Sequence, residues 1–280
     1  MAYQMKKEHI LGYAAYLKQE EKSPGTVGKY LRDIQAFFIW LDGKEVDREQ
    51  AMEWKESLKS RKYAPITINS MLSALNSFFG YMRWEDCRVK FLRVQRRMFR
   101  DQTKELTKNE YFRLVNTARA QNKERLALLI ESICSTGIRV SEVAYITVES
   151  VRSRKAEIYL KGKIRTILMP GKLCRKLLKY AKKERITSGE IFITKNKRSL
   201  SRRQIWQEMK RLCNDAKVEA SKVFPHNLRH LFAVTFYRTG KDIVRLADVL
   251  GHSSIETTRL YLLSTGKEHV HQLERLGLIC

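Results

Sequence analysis

Apolar residues recur at helical spacing over about the first 95 positions of this 280-residue chain. The clearest case is residues 26–41, whose apolar stripe consists of Val27, Leu31, Ile34, Phe37, Phe38 and Leu41. Residues three and four apart share one face of a helix, so the stripe predicts an amphipathic helix with one buried face. Ser23 and Pro24 precede it as a predicted cap and first-turn proline.

Further stripes predict more helices in the same region. Asp47 is a predicted cap for a helix that carries Ala51, Trp54 and Leu58. Pro65 opens the next helix, whose apolar residues are Ile68, Met71, Leu72, Leu75, Phe78 and Phe79. Four short helices with short loops predict a compact bundle over residues 1–92. We interpret its aromatic residues as core, with a base-stacking surface as the alternative.

The chain is strongly basic, with 55 Lys and Arg against 30 Asp and Glu and a net charge of +25. This excess fits a polyanionic partner, either nucleic acid, an anionic membrane face or a heparin-like sugar; a generally basic surface is the alternative. If the partner is a nucleic acid, five basic residues near the end of the bundle are predicted to contact its phosphates: Lys90, Arg93, Arg96, Arg97 and Arg100. Residues 93–105 are therefore predicted to be a basic linker, with a solvated charge run as the alternative.

A second domain is predicted over residues 106–280. Thr107 and Glu110 have the spacing of a capping box, and an apolar helix from about Arg125 to Ser135 stops at Gly137. The predicted elements that follow are a hairpin at 157–169, a helix at 173–182, a strand at 191–194 and a helix at 201–216. The sequence thus predicts a mainly α protein with a small β-hairpin, an α+β fold.

The sequence pattern argues against a membrane-spanning protein, a secreted protein and a cysteine-bound metal site. No stretch reaches the roughly 18 apolar residues that a membrane span needs, and the first residues lack the apolar core of a signal peptide. The five scattered cysteines, Cys87, Cys134, Cys174, Cys213 and Cys280, have no metal-binding spacing. We expect reduced thiols and a cytoplasmic, nucleoid-associated protein without a membrane partner.

Four short segments carry residue types that suit phosphodiester exchange. They are Thr136–Glu142, Lys161–Lys163, His226–His230 and Leu250–His252, the last followed nine residues later by Tyr261. Arginine grips two phosphate oxygens and stays charged, which suits a transition state with negative charge on those oxygens. Histidine and lysine transfer protons, and a tyrosine hydroxyl forms a covalent phosphate ester that conserves the bond energy. The sequence contains no carboxylate cluster suited to two metal ions.

Local geometry supports this interpretation. His226 and Arg229 are three residues apart, so a helix opened by Pro225 places both on one face near its positive end. Gly251 is predicted to end another helix, which leaves His252 projecting from a loop.

Each of these residues is weak evidence alone. Tyr261, predicted on the helix that follows, is one of 12 tyrosines. Arg139 can equally be an ion-pair partner of Glu142, and His226 a capping or core histidine. Only the order and spacing of the whole set favour catalysis.

The segments TGIRVSE, KGK, HNLRH and LGHSSIETTRLY, in this order, resemble the tyrosine recombinase family of the phage-integrase and Xer type. The resemblance covers nearly the whole chain. It implies an N-terminal SAM-like bundle that binds the core DNA site and a C-terminal catalytic domain. We expect the simpler two-domain form, without the extra arm-binding domain of the larger phage integrases.

The resemblance also implies roles for single residues. Arg139 and Arg229 would clamp the scissile phosphate. His226 and His252 would assist proton transfer, and Tyr261 would form a 3′-phosphotyrosyl link. A hairpin lysine would protonate the leaving 5′ oxygen.

The hairpin lysine is the ambiguous member of the set. Its turn is short compared with the family's usual GKGxKxR pattern, so both Lys161 and Lys163 fit, and we favour Lys163. Glu142 matches an acidic residue that supports such sites structurally. Arg202 and Arg203 are further predicted DNA contacts.

The resemblance implies double-stranded DNA recombination sites as substrate and a homotetramer on DNA that passes through a Holliday junction. It implies neither a metal nor another cofactor. The tail at 264–280 is expected to dock on a neighbouring copy, with self-packing as the alternative. A monomeric state off DNA and an accessory DNA-bending protein are left open. The rival interpretations are a type IB topoisomerase and a non-catalytic DNA-binding regulator with the same fold.

Overall fold

The computed structural model describes residues 2–94, 102–160, 163–262 and 274–276. The chain divides into two compact units, Met1–Arg96 and Arg97–Cys280. Each unit has its own hydrophobic core, so each is described by itself.

The first unit is a bundle of four helices: α1 (Lys7–Gln19), α2 (Pro24–Leu41), α3 (Arg48–Ser60) and α4 (Pro65–Met82). The predicted caps are confirmed, because the side chain of Ser23 accepts from Thr26 N and that of Asp47 from Gln50 N. These bonds satisfy backbone amides that would otherwise have no partner at a helix start.

The aromatic residues of this bundle form its core. Phe37, Phe78 and Phe79 are fully buried and pack edge-on or tilted against one another. Trp54 lies edge-on to Phe37 with 5.1 Å between ring centroids. The interpretation of the aromatic stripe as core is therefore confirmed for these side chains.

The second unit contains eight helices and one hairpin within its described residues. The helices are α5 (Lys108–Ala120), α6 (Glu124–Thr136), α7 (Val148–Ser153), α8 (Gly171–Lys183), α9 (Arg202–Arg211), α10 (Pro225–Gly240), α11 (Ile243–Leu250) and α12 (Ile255–Arg259). The strands are β1 (Lys155–Leu160) and β2 (Lys163–Leu168). The mainly α fold with a small antiparallel hairpin is confirmed.

Helix α6 is the centre of this unit. Its apolar residues between Leu126 and Ile133 are buried, and it packs against α5, α8 and α10. The predicted capping box of α5 is present, with Thr107 and Glu110 bonding to each other's backbone amides. Gly137 ends α6 in the left-handed region with φ +65°, as the sequence predicted.

The hairpin pairs Leu160 with Lys163 at the turn and Lys155 with Leu168 at the far end. Side chains alternate between faces, so Ile158 and Ile167 are buried in the core and Ile164 is 73% exposed. The side chain of Arg165 lies on the same side as Ile167 and points toward the helical part of the unit.

Three local predictions need correction. Residues 191–194 form no strand, because Thr194 bonds to Arg198 in a tight turn and only isolated bridges form, such as Ile193 to Ser199. Ile191 is nevertheless buried, so its apolar character reflects core packing and not sheet pairing. Helix α9 stops at Arg211, five residues before the predicted end.

The third correction concerns Tyr261. It was predicted on a helix, but α12 ends at Arg259 and Tyr261 lies in the turn that follows. The tail at 264–280 lies outside the described residues except for 274–276. Among the described residues no helix is both long and apolar enough to cross a membrane.

Candidate active site

Arg139 lies three residues after the end of α6 and caps a short 3-10 helix at Val140–Tyr145. The buried carboxylate of Glu142 accepts from both ends of this residue: Oε2 from its backbone N at 2.9 Å and Oε1 from its Nη1 at 2.8 Å. The Arg139 side chain remains 38% exposed. Glu142 thus fixes the direction of a guanidinium group that still reaches solvent.

Arg165 of β2 binds the same carboxylate. Its Nη1 lies 3.2 Å from Oε2 of Glu142, and its Nη2 donates to the Val249 carbonyl at 3.1 Å. Burial lowers the pKa of Arg165 to about 10, while the Glu142 carboxylate acts in the opposite direction. Arg165 therefore stays cationic at neutral pH and joins the hairpin to the end of α11.

Arg229 is almost completely buried on the second turn of α10. Its Nη1 donates to the carbonyl of Gly137 and its Nη2 to that of Leu250, the latter at 2.7 Å. Both carbonyls lie at helix C-termini, the negative ends of α6 and α11, which stabilises a buried cation. Burial lowers the pKa of Arg229, and the charge of Arg139 acts in the same direction.

His252 lies in the loop after α11, as predicted. Its Nε2 is 3.0 Å from Nη2 of Arg229, and its Nδ1 is 2.9 Å from Oγ1 of Thr258. A guanidinium group only donates, so Nε2 accepts and the ring proton resides on Nδ1. Burial lowers the pKa of His252 to about 4, and the charge of Arg229 acts in the same direction. The ring is therefore neutral at pH 7.

Tyr261 is only 7% exposed and is surrounded by three imidazole rings. The ring centroids lie 5.6 Å from that of His226, 5.5 Å from that of His230 and 5.5 Å from that of His252. The rings of His230 and His252 are nearly parallel to the phenol, whereas His226 is tilted and exposed.

An open cavity of about 1080 Å³ lies beside His252 and the two arginines that contact Glu142. Arg139, Arg165, His252 and Arg202 are among the side chains that line it. Three cationic groups thus face one space large enough for a phosphodiester. Among the described residues no group of three or more His, Cys, Asp or Glu is placed to hold a metal ion.

The structure brings together five of the six predicted catalytic residues: Arg139, His226, Arg229, His252 and Tyr261. For the sixth, Lys163, only the backbone position in β2 is described, and Lys161 lies outside the described residues.

The predicted DNA contacts are only partly visible. Arg202 lines the cavity and Arg203 is exposed beside it on α9. Lys90 and Arg93 are exposed in the first unit. The other three, Arg96, Arg97 and Arg100, lie outside the described residues.

Sequence reasoning assigned no role to three residues that contact the site. Arg165 is two positions after Lys163, and strand alternation was the signal that could have placed it there. His230 follows Arg229 directly and is the last residue of the HNLRH segment. Thr258 is three residues before Tyr261, which is one helical turn, but its bond to His252 crosses from one element to another and leaves no pattern in the sequence.

The fold and this site define a two-unit helical protein in which histidines surround one buried tyrosine next to a cluster of arginines. The phage integrase family matches residues 104–268, and the phage integrase N-terminal SAM-like domain matches residues 10–86. The family match spans more than half of the chain. The chain therefore belongs to the phage integrase family, and the resemblance inferred from its motifs is confirmed.

Curated relatives are similar over nearly their full length. Tyrosine recombinase XerA of Pyrococcus furiosus is 28% identical over 98% of this chain and 96% of the relative. Tyrosine recombinase XerD of Xanthomonas campestris is 27% identical over 89% of this chain and 84% of the relative. The chain is accordingly a tyrosine recombinase by family, as its sequence predicted.

Solved structures show the same fold at low sequence identity. A lambda integrase tetramer bound to a Holliday junction matches with a TM-score of 0.74 and 16% identity, over 93% of this chain and 77% of that one. The XerH recombinase bound to its difH substrate matches with a TM-score of 0.67 and 17% identity, over 92% and 86% of the two chains.

Proposed function

We propose that this enzyme recombines DNA at specific sites through a covalent link to Tyr261. The observation that carries the proposal is the position of the Tyr261 ring, which is buried among three histidines, one of which, His252, has its Nε2 3.0 Å from Nη2 of Arg229. This arrangement supports Tyr261 as the nucleophile, next to arginines that would stabilise a pentavalent phosphate.

The proposed step is a transesterification. The Tyr261 oxygen attacks phosphorus and its proton passes to a base, while the bond from phosphorus to the 5′ oxygen breaks and that oxygen takes up a proton. The product is a 3′-phosphotyrosyl link and a free 5′ hydroxyl. Attack by a 5′ hydroxyl from a second strand reverses these changes and reseals the DNA, so no external energy source is consumed.

Each charged residue has a part in this step. Arg139 and Arg229 would bind the non-bridging oxygens, where arginine forms two parallel bonds. His252 and the exposed His226 would assist proton transfer. Lys163 would protonate the leaving oxygen, with Lys161 as the alternative.

The proposed substrate is double-stranded DNA. Phosphate contacts would come from the basic residues of both units, including Lys90, Arg93, Arg202 and Arg203, which supply affinity without reading sequence. Residues 1–92 would bind the core site and 106–280 would catalyse, with 93–105 as the basic linker. A DNA substrate of this kind would place the enzyme on the bacterial nucleoid.

We further propose a tetramer on paired sites, formed through docking of the tail at 264–280. The support is indirect: lambda integrase, which has the same fold, is a tetramer in its structure with a Holliday junction. An accessory DNA-bending protein is a separate question, which reactions with purified components would answer.

Adduct trapping tests the proposal. Purified enzyme is incubated with labelled fragments of the source genome, including the DNA that flanks its own gene, and denatured in SDS. We expect a covalent complex whose nucleotide-bearing peptide contains Tyr261. Tyr261→Phe should bind the same fragment and form no complex, whereas Tyr237→Phe on α10 should form it normally.

Two outcomes would contradict the proposal. One is an SDS-resistant complex formed by Tyr261→Phe, which would move the nucleophile elsewhere. The other is relaxation of supercoiled DNA by single copies without pairing of sites, which would indicate a topoisomerase.

A further inference from the structure

His230 is the buried residue that follows Arg229 on α10, and it is 2% exposed. Its Nε2 lies 3.1 Å from the backbone carbonyl oxygen of Tyr261. A carbonyl oxygen only accepts hydrogen bonds, so Nε2 carries a proton and donates it. The imidazole also stacks on the Tyr261 phenol, with 5.5 Å between centroids and 19° between planes.

The local chain gives Tyr261 little support of its own. Helix α12 has only five residues and ends before Tyr261. The Tyr261 amide donates to the Thr258 carbonyl at 3.0 Å, which is a bond within the same turn. Such a short helix is marginal by itself, so contacts from other elements must fix where the phenol lies.

We propose that His230 is a positioning residue for Tyr261: its Nε2–H fixes the main chain of the nucleophile and its ring fixes the plane of the phenol. This inference rests on the proposed function, because it takes Tyr261 as the nucleophile. The Nε2–H of His230 is directed at a backbone carbonyl, so this proton is not offered to the substrate.

Because His230 is next to Arg229 in the chain, its contact with Tyr261 also affects where Tyr261 lies relative to Arg229. Arg229 and His230 are neighbours on one helix, and Arg229 is anchored by the carbonyls of Gly137 and Leu250. Helix α10 therefore sets the phosphate-binding guanidinium and the nucleophile relative to each other. Displacement of a reacting group by about 1 Å can cost about 100-fold in rate.

Two substitutions test the hydrogen bond that His230 donates. His230→Leu keeps much of the volume and removes the donor, whereas His230→Gln keeps a side-chain N–H that can reach the carbonyl. On the fragment that forms the covalent complex, His230→Leu should form it about 100-fold more slowly with unchanged DNA binding. His230→Gln should recover most of that loss.

A second reaction distinguishes positioning from general damage to the fold. A strand that ends in a 3′-(4-nitrophenyl) phosphate is resealed when a 5′ hydroxyl attacks phosphorus, loses its proton and expels 4-nitrophenolate. This reaction needs the cationic groups but not the tyrosine. Tyr261→Phe and the double variant with His230→Leu should therefore reseal the strand at the same rate.

The outcomes are distinct. Cleavage by His230→Leu at the wild-type rate overturns the inference, and so does an equal loss of cleavage and resealing, which would make His230 a core residue. Absence of any covalent complex with the wild-type enzyme overturns the proposed function itself.

Discussion

Arg165 and Gly251 contact each other so closely that a β-carbon on Gly251 would collide with Cδ and Nε of the arginine, the latter at 2.7 Å. Gly251 also has a φ of +61° and ends α11. The next residue is His252, and the previous turn accepts a bond from Arg165 at Val249. The loop that carries His252 is therefore packed directly on the hairpin strand.

Because of this contact, we expect Gly251→Ala to reduce stability and activity by more than the left-handed backbone conformation alone would explain. The left-handed conformation costs an alanine about 1–2 kcal/mol. Displacement of Arg165 should add to this and lower the rate of covalent complex formation by at least about tenfold, because Arg165 contacts the Glu142 that orients Arg139. Thermal unfolding and adduct formation measure the two effects.

Gly189→Ala is the matched control. Gly189 has a φ of +75°, and a β-carbon there would meet no atom within 4 Å. It should show the conformational cost and normal adduct formation. Equal effects of the two substitutions on activity would rule out a role for the Arg165 contact.

Glu142 is the shared anion for two arginines, which predicts a large effect of Glu142→Gln. The substitution keeps the shape and removes the charge, leaving Arg139 and Arg165 as neighbouring cations with no compensating carboxylate. Breaking a buried ion pair costs on the order of 3 kcal/mol. We expect a thermal midpoint lowered by several degrees and a strong loss of covalent complex.

An exposed ion pair is the control for the effect of Glu142→Gln on stability. Glu256 and Arg259 lie 4.0 Å apart with more than half of each side chain exposed. Pairs of this kind contribute about 0–1 kcal/mol, so Glu256→Gln should leave the midpoint almost unchanged. If Glu142→Gln is equally mild, the carboxylate does not organise the site.

The helices were predictable because their signals are local. Ser23, Asp47, Thr107 and Gly137 each act within one turn of the chain, so composition and spacing were enough. Residues 191–194 failed because a short apolar run is equally compatible with a strand and with a buried loop. Only the packing around Ile191 decides between them.

The site was predictable to the extent that its motifs are ordered along the chain. What could not be predicted are contacts between distant segments. Arg165 meets Glu142 across 23 positions, and His230 meets Tyr261 across 31. Neither separation produces a periodic pattern, so these partners emerge only when the hairpin, α10 and the last turn fold together.

The pKa of His252 predicts a pH dependence of stability. Its pKa is about 4 in the folded protein against an ordinary value of 6.5. Between these values the unfolded chain binds more protons, so this group makes stability fall as pH decreases from 6.5 to 4. Below pH 4 both states are protonated and the contribution is constant.

His252→Gln should therefore weaken this dependence. The groups that keep the imidazole neutral face it from several elements, namely Arg229 and His226 on α10, Arg139 after α6 and Arg165 on β2. Urea unfolding at a series of pH values measures the free energy for both proteins. The difference between wild type and variant should be constant above pH 7 and change between 6.5 and 4. A constant difference throughout would show that His252 titrates normally.

The choice between Lys163 and Lys161 as general acid is the last prediction. Leu160 pairs with Lys163 at the start of β2, and position 163 is two residues before Arg165, which lines the cavity; residues two apart in a strand share a face. Lys163→Ala should therefore slow cleavage of a nicked substrate by about 100-fold or more, the usual contribution of a general acid. Lys161→Ala should have a far smaller effect.

A substrate with sulfur in place of the leaving 5′ oxygen distinguishes a general acid from other roles. Its thiolate is a much better leaving group and needs no protonation, so this substrate should restore cleavage by Lys163→Ala. If Lys161→Ala is the slower variant and the one restored by sulfur, the acid is Lys161.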